Sequence, residues 1–159
     1  MRPCREKIKV REELQDIIAG LKKAGKRIVF TNGCFDILHR GHVLYLEEAR
    51  GKGDILVVGV NTDASVREIK GEKKPIIPQE GRMTVLAALE AVDYVVPFDE
   101  PDPFELISFL RPHVLVKGGD WDEREVVGRE LVEQTAVVPF VEGYSTSRII
   151  EAILKRYSL

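Results

Sequence analysis

The seven residues from Asp54 to Val60 (DILVVGV) are apolar nearly throughout. That is the pattern of a strand buried on both faces, and such strands belong to parallel sheets with helices above and below. The rest of the chain supplies those helices. Arg11 to Ala24 spaces Leu14, Ile17, Ile18 and Leu21 at helical period, and Gly25 is placed to end the helix. Strands are predicted at Arg27–Thr31, Tyr94–Pro97, Val114–Lys117 and Ala136–Val141. Helices are predicted at His42–Arg50, Thr62–Lys70, Glu80–Ala91, Pro103–Leu110, Glu123–Glu133 and Ser145–Tyr157. The last is strongly amphipathic, with Ile149, Ile150, Ile153, Leu154 and Tyr157 on one face. Strands alternating with helices imply right-handed βαβ crossovers. The expected fold is α/β, a Rossmann-like open parallel sheet with helices on both faces. No repeat, low-complexity tract or linker interrupts the 159 residues, which read as a single domain. Residues 1–25 form a leading helical segment and residues 26–159 the core.

Composition narrows the function. Lys and Arg number 24 against 26 Asp and Glu, a formal net charge of −2. That balance argues against a protein whose main task is gripping a nucleic acid backbone. No apolar run approaches the roughly 18 residues of a membrane span. The opening MRPCREKIKVREEL has no apolar core, so it does not read as a secretory signal. The two cysteines, Cys4 and Cys34, make a disulfide framework improbable, and a cytoplasmic location is expected.

Ligands of open parallel sheets bind at the carboxyl ends of the strands. The segments to inspect are therefore Asn32–His42, Asn61–Asp63, Gly118–Trp121 and Glu142–Ser147. The first is densest: Thr31 to His42 reads T-N-G-C-F-D-I-L-H-R-G-H, following a strand and opening a helix. Gly33 and Gly41 allow tight turning and close approach of backbone to a ligand. The helix N-terminus offers unpaired N–H groups and a positive dipole end, which suit phosphate. His39 and His42 can donate hydrogen bonds to phosphate oxygens and stabilise charge as a phosphoryl bond breaks. A metal site is disfavoured, because no third ligand cluster accompanies them. Asp36 reads as a loop brace rather than a base, and Cys34 as a small residue fitted into the turn.

Two further segments fit the same chemistry. Ser145, Thr146, Ser147 and Arg148 precede the final helix, where hydroxyls can cap the helix or cradle phosphate. Lys117-Gly118-Gly119-Asp120-Trp121 ends a strand, and its glycines admit a flat base or a ribose. Trp121 reads as either a lid or a packing residue. The basic loop Lys70–Pro75, with Lys74, reads as a solvated loop that beside a phosphate site could close over an anionic substrate, and Arg82 follows early in the next helix as an anion candidate. Gly20 to Arg27 nearly matches a phosphate-binding P-loop, but Arg27 replaces the Mg²⁺-holding hydroxyl and the stretch precedes a strand. It reads as a helix C-terminus. No function is assigned to His113.

With H-R-G-H and S-T-S-R the chain resembles the cytidylyltransferase-like nucleotidyltransferases, a branch of the H-x-G-H superfamily. The segments T-N-G-C-F-D-I-L-H-x-G-H, V-N-T-D, R-M-x-V-L and V-K-G-G-D-W look most like the adenylyltransferases of D-glycero-β-D-manno-heptose 1-phosphate. The resemblance runs from about Lys26 to the C-terminus. It implies a catalytic core in which a sugar 1-phosphate attacks the α-phosphorus of ATP in line and pyrophosphate leaves. By that resemblance His39 and His42 contact the triphosphate. Ser145, Thr146 and Ser147 hold its β- and γ-phosphates. Asn32, Gly33, Cys34, Phe35 and Gly41 line the phosphate region, and Gly118 and Asp120 surround the nucleoside. Lys74 and Arg82 would receive the sugar phosphate or the triphosphate, with Asp36, Asn61 and Arg148 as further candidates. Mg²⁺ with ATP is the implied cofactor, held mostly by phosphate oxygens. The resemblance adds a homodimer and a separate sugar kinase as partners to consider. Tyr144, where a smaller residue is expected, and Gly81, where a polar helix former is usual, depart from the family pattern. The alternatives left open are cytidylyl transfer to glycerol 3-phosphate, another small phosphate acceptor, and a nucleotide-binding module without turnover.

Overall fold

The computed structural model describes residues 2–158. In chain order its elements are α1 (Cys4–Lys7), α2 (Arg11–Lys23), β1 (Ile28–Gly33), α3 (Arg40–Arg50) and β2 (Ile55–Asn61). Then follow α4 (Asp63–Lys70), α5 (Gln79–Ala88), β3 (Tyr94–Phe98), α6 (Phe104–Leu110), β4 (Val114–Gly118), β5 (Gln134–Val138) and α7 (Thr146–Tyr157). The five strands make one sheet in the order β3-β2-β1-β4-β5, and every pairing is parallel. β1 pairs with β2 from Ile28–Ile55 to Gly33–Val60, and with β4 at Val29–Val114 and Phe30–Leu115. The expected open parallel sheet is therefore present.

Successive strand residues feed opposite faces, as a period of two requires. Val29, Leu56, Val58, Val60, Val114 and Val116 pack with Leu46 and Ala49 of α3 and Leu86 and Ala87 of α5. Ile28, Phe30, Val57, Val96 and Leu115 pack with Leu14 and Ile18 of α2 and Leu106, Ile107 and Leu110 of α6. The chain thus runs outward from β1 to β3 with α3 and α5 on one face. It then crosses back under the other face through α6 to reach β4. The reversal leaves a crevice at the carboxyl ends of β1 and β4. The β3 edge is partly covered, because Ile8 bridges Val95 and Lys9 N–H donates to the Val95 carbonyl at 2.9 Å.

Three sequence expectations change. Glu123–Glu133 forms no α-helix but two 3₁₀ turns, Glu123–Glu125 and Arg129–Leu131. Gly128 between them takes φ +85°, and a Cβ there would meet Ile107 Cδ1 at 2.8 Å. Close packing on α6 thus wins over helical period. β5, Gln134–Val138, starts two residues and ends three residues earlier than expected, its end set by Pro139, which cannot donate to the ladder. α7 forms as expected, yet none of its residues is buried, and Tyr157 is 72% exposed. It follows an edge strand and is tethered chiefly at its first turn.

At the amino ends of the strands His113 has a structural task. Its Nδ1 accepts from Ile28 N–H at 2.9 Å, and Ile28 is fully buried. His113→Ala leaves that donor unpaired and is expected to cost about 1–3 kcal/mol in denaturant unfolding. Ligand binding at the opposite end of the sheet is expected to stay unchanged.

Candidate active site

The crevice opens into a cavity of about 740 Å³. Much of its wall comes from the segments named from the sequence: Asn32–Asp36, His39, Gly41, His42, Asn61, Lys70, Lys74, Lys117, Gly118 and Ser145–Ser147; Pro101–Pro103 and Glu125–Val127, which the sequence did not single out, also line it. Trp121, Phe140 and Tyr144 add aromatic surface.

The two histidines form the start of α3. His39 is the N-cap residue, and its Nδ1 accepts from Gly41 N–H at 3.1 Å. His42 Nδ1 accepts from His39 N–H at 3.3 Å. Each imidazole therefore closes one orphan backbone donor of the helix, a capping box built of two rings. The same bonds fix the tautomers. With Nδ1 accepting, the neutral ring carries its proton on Nε2, free to donate. The rings stack at 3.9 Å between centroids, 24° apart in plane. Gly41 is needed for this closeness, since a Cβ there would stand 3.0 Å from His39 Cε1.

Electrostatics favour neutral rings. Burial lowers the His39 pKa. His42 is lowered to about 4, first by burial, then by His39 and Lys70. The cavity wall carries charge of both signs, with Asp36, Asp102 and Glu125 on it as well as three lysines. Lys70, Lys74 and Lys117 line it, and none has a carboxylate within 4.0 Å among the described residues. Burial lowers the Lys117 pKa, and its ammonium lies 5.2 Å over the Trp121 ring. Lys117 was overlooked as a site residue in the sequence. Its place at the carboxyl end of a strand beside β1 was the signal that marked it. Burial pushes the Cys34 thiol upward, so it is no ready nucleophile, and its Sγ lies 3.8 Å from Asn61 Oδ1.

The first turn of α7 also faces the cavity. Ser145 Oγ caps the helix by accepting from Arg148 N–H at 3.2 Å. Thr146 Oγ1 donates to the Asp36 carbonyl at 2.6 Å, and Ser147 stays exposed. Tyr144 sits beside His39, ring centroids 6.4 Å apart, and Arg40 lies over its other side at 5.5 Å. The family departure at this position thus shapes the wall next to the histidines.

Three expected site residues are not brought into the cavity. Arg82 is 2% exposed and its guanidinium is spent on the Ile77 carbonyl (2.9 Å), the Cys34 carbonyl (2.6 Å) and Asp63 (2.8 Å). It is a structural tie, not an anion receptor. Asp120 is exposed after the turn at Gly119, whose φ is +113°, and lies outside the lining. Arg148 is exposed and also lies outside it. Asp36 does border the cavity, but its carboxylate accepts from Ile76 N–H (2.8 Å) and Ile77 N–H (2.9 Å), so it braces a loop.

An open parallel sheet with a histidine-capped, lysine-lined cavity at its switch point is the arrangement expected of a nucleotidyltransferase. The cytidylyltransferase-like family model matches residues 30–152, and the chain belongs to that family. The bifunctional protein HldE of Pelobacter propionicus is 57% identical over 156 residues, covering 96% of this chain and 32% of that protein. HldE of Geobacter sulfurreducens is 58% identical, covering 95% and 32%. This chain thus spans about a third of the length of these relatives. Among solved structures, the lipopolysaccharide core biosynthesis protein of Thermoplasma volcanium superposes with a TM-score of 0.63 at 30% identity, covering 76% of this chain and all of that one. Pantoate-beta-alanine ligase of Francisella tularensis shares the fold at 17% identity, TM-score 0.61, covering 96% and 78%.

The depressed His42 pKa fixes the sign of a pH effect. The unfolded imidazole binds its proton more tightly, so His42 contributes stability that is complete above about pH 6.5. That stability is lost as pH falls through about 4. The His42 ring signal in proton NMR should titrate near 4. A midpoint near 6.5 would contradict the burial and pairing described.

Proposed function

We propose that the chain is the adenylyltransferase that joins ATP and D-glycero-β-D-manno-heptose 1-phosphate into ADP-heptose and pyrophosphate. The observation that carries this reading is the pair of Nε2–H donors held by the α3 cap beside three lysines that have no carboxylate within 4.0 Å among the described residues. Such a cavity is built for polyphosphate, and its volume accommodates a nucleotide with a second phosphate-bearing substrate. The relatives named above are bifunctional, and this chain matches a third of each. That share fits an adenylyltransferase paired with a second enzyme such as a sugar kinase. Lipopolysaccharide core synthesis is the corresponding pathway, and its nucleotide-sugar steps are cytoplasmic. No helix among the described residues is long and apolar enough to cross a membrane.

In this reading the sugar phosphate oxygen attacks the α-phosphorus and the α–β bridging bond breaks, its electron pair leaving with pyrophosphate. The protein positions the groups and stabilises charge, and no covalent enzyme intermediate forms. His39 and His42 donate through Nε2 to phosphate oxygens as negative charge builds on the leaving group. The first turn of α7, with Ser147, receives the outer phosphates. Gly118, Trp121 and Phe140 flank the nucleoside, and Lys74 meets the acceptor phosphate. Among the described residues no cluster of three or more His, Cys, Asp or Glu side chains is placed to hold a metal ion. This donor set fits Mg²⁺ carried on triphosphate oxygens, where the ion neutralises charge.

The test pairs ATP or CTP with heptose 1-phosphate or glycerol 3-phosphate and measures pyrophosphate. Release with ATP and heptose 1-phosphate alone is expected. Release with CTP and glycerol 3-phosphate would replace the substrate assignment, and silence with every pair would leave a binding module. His39→Ala and His42→Ala are expected to lower the rate about 10²–10⁴-fold. Near-full turnover in either variant would remove that histidine from the mechanism.

A further inference from the structure

The loop Gly71–Pro78 carries Lys74 along the cavity wall with little apolar anchorage: Ile76 is 52% exposed and Ile77 36%. Polar bonds hold it instead. The Asp36 carboxylate takes the N–H groups of Ile76 and Ile77, and Arg82 Nε donates to the Ile77 carbonyl. Both clamping side chains are nearly inaccessible, and each is fixed from a second direction. Arg82 is tied to the Cys34 carbonyl and Asp63, while the Asp36 carbonyl accepts from Thr146. Phe35 and Ile37, on either side of Asp36, adopt left-handed φ of 50° and 49°. Residues with a Cβ hold that conformation only where their surroundings over-determine it. Between these two turns Asp36 presents its carboxylate to the lysine loop and its carbonyl to α7.

We propose that Asp36 is a positioning residue for the acceptor substrate. With Arg82 it clamps the Ile76–Ile77 segment so that Lys74 stands in the cavity. The inference rests on the reading of the site as one that transfers a nucleotidyl group to an anionic acceptor. A carboxylate is required, because two N–H groups converge on it. An asparagine supplies one acceptor oxygen and turns its own NH₂ against the second N–H.

The experiment compares wild type with Asp36→Asn, Lys74→Ala and the double variant in the full chain. It measures KM for heptose 1-phosphate and for ATP, kcat, Tm and the rate of tryptic cleavage after Lys73. Loss of one charge-assisted bond predicts a rise in acceptor KM of roughly tenfold for Asp36→Asn. ATP KM should stay within about twofold, kcat should fall less than acceptor KM rises, and tryptic cleavage should accelerate. The double variant should be no worse than Lys74→Ala alone, since Asp36 acts through that lysine. An unchanged acceptor KM, equal losses for both substrates, or multiplying effects in the double variant would overturn the proposal. Arg82→Lys loosens the same Ile76–Ile77 segment from the other side, at the Ile77 carbonyl, and must show the same split, which keeps the test decisive if Asp36→Asn does not fold. A wild type inactive with every phosphate acceptor sinks the underlying reading, and the clamp then stands or falls on the tryptic rate.

Discussion

The central strand sets the terms for the rest of the molecule. β1 is buried on both faces, so its backbone groups need partners on both sides and its side chains need cover above and below. β2 and β4 supply the ladders, α3 and α5 cover one face, and α2 and α6 cover the other. Since the chain leaves β1 in one direction and returns on the other side, two loops diverge at the carboxyl ends of β1 and β4. The cavity follows from that divergence.

The histidines show how fold and chemistry share the same bonds. In most helices a Ser, Thr or Asp side chain closes the first orphan N–H groups. Here two imidazoles do so through Nδ1, which leaves both Nε2–H groups available. Their proximity and burial keep them neutral, so they offer direction rather than permanent charge. The permanent positive charge comes from Lys70, Lys74 and Lys117, which have no carboxylate within 4.0 Å among the described residues. That division suits a reaction in which charge grows on phosphate oxygens in the transition state.

Much of this was legible from residue order. The nearly continuous apolar run Asp54–Val60, the H-R-G-H segment and the hydroxyls before α7 each declare themselves through local pattern. The misreadings share a different cause. Arg82 sits in a helix first turn, as an anion receptor could, and nothing in its neighbours reveals that Asp63 and two carbonyls close around it. Asp120 follows paired glycines, and the hand of the Gly119 turn decides that it faces solvent. The helical period of Glu123–Glu133 gives way because Gly128 packs on Ile107 from a distant helix. Lys117 stands in the K-G-G-D-W segment without a role of its own, because a lysine at a strand end is common and its burial beside Trp121 is a tertiary fact.

The sequence by itself determined the parallel α/β architecture and the loops that meet at one end of the sheet. Both follow from hydrophobic period and turn chemistry, which act over a few residues. Only the tertiary structure decided which charges face the cavity. A charged side chain near a site binds ligand or braces backbone according to what lies within about 3 Å of it. For Arg82 those partners lie as far away in sequence as Cys34, and for Asp36 they lie at Ile76, Ile77 and Thr146. Contacts of that range are set by how the layers pack, because each side chain must find a partner once water is excluded.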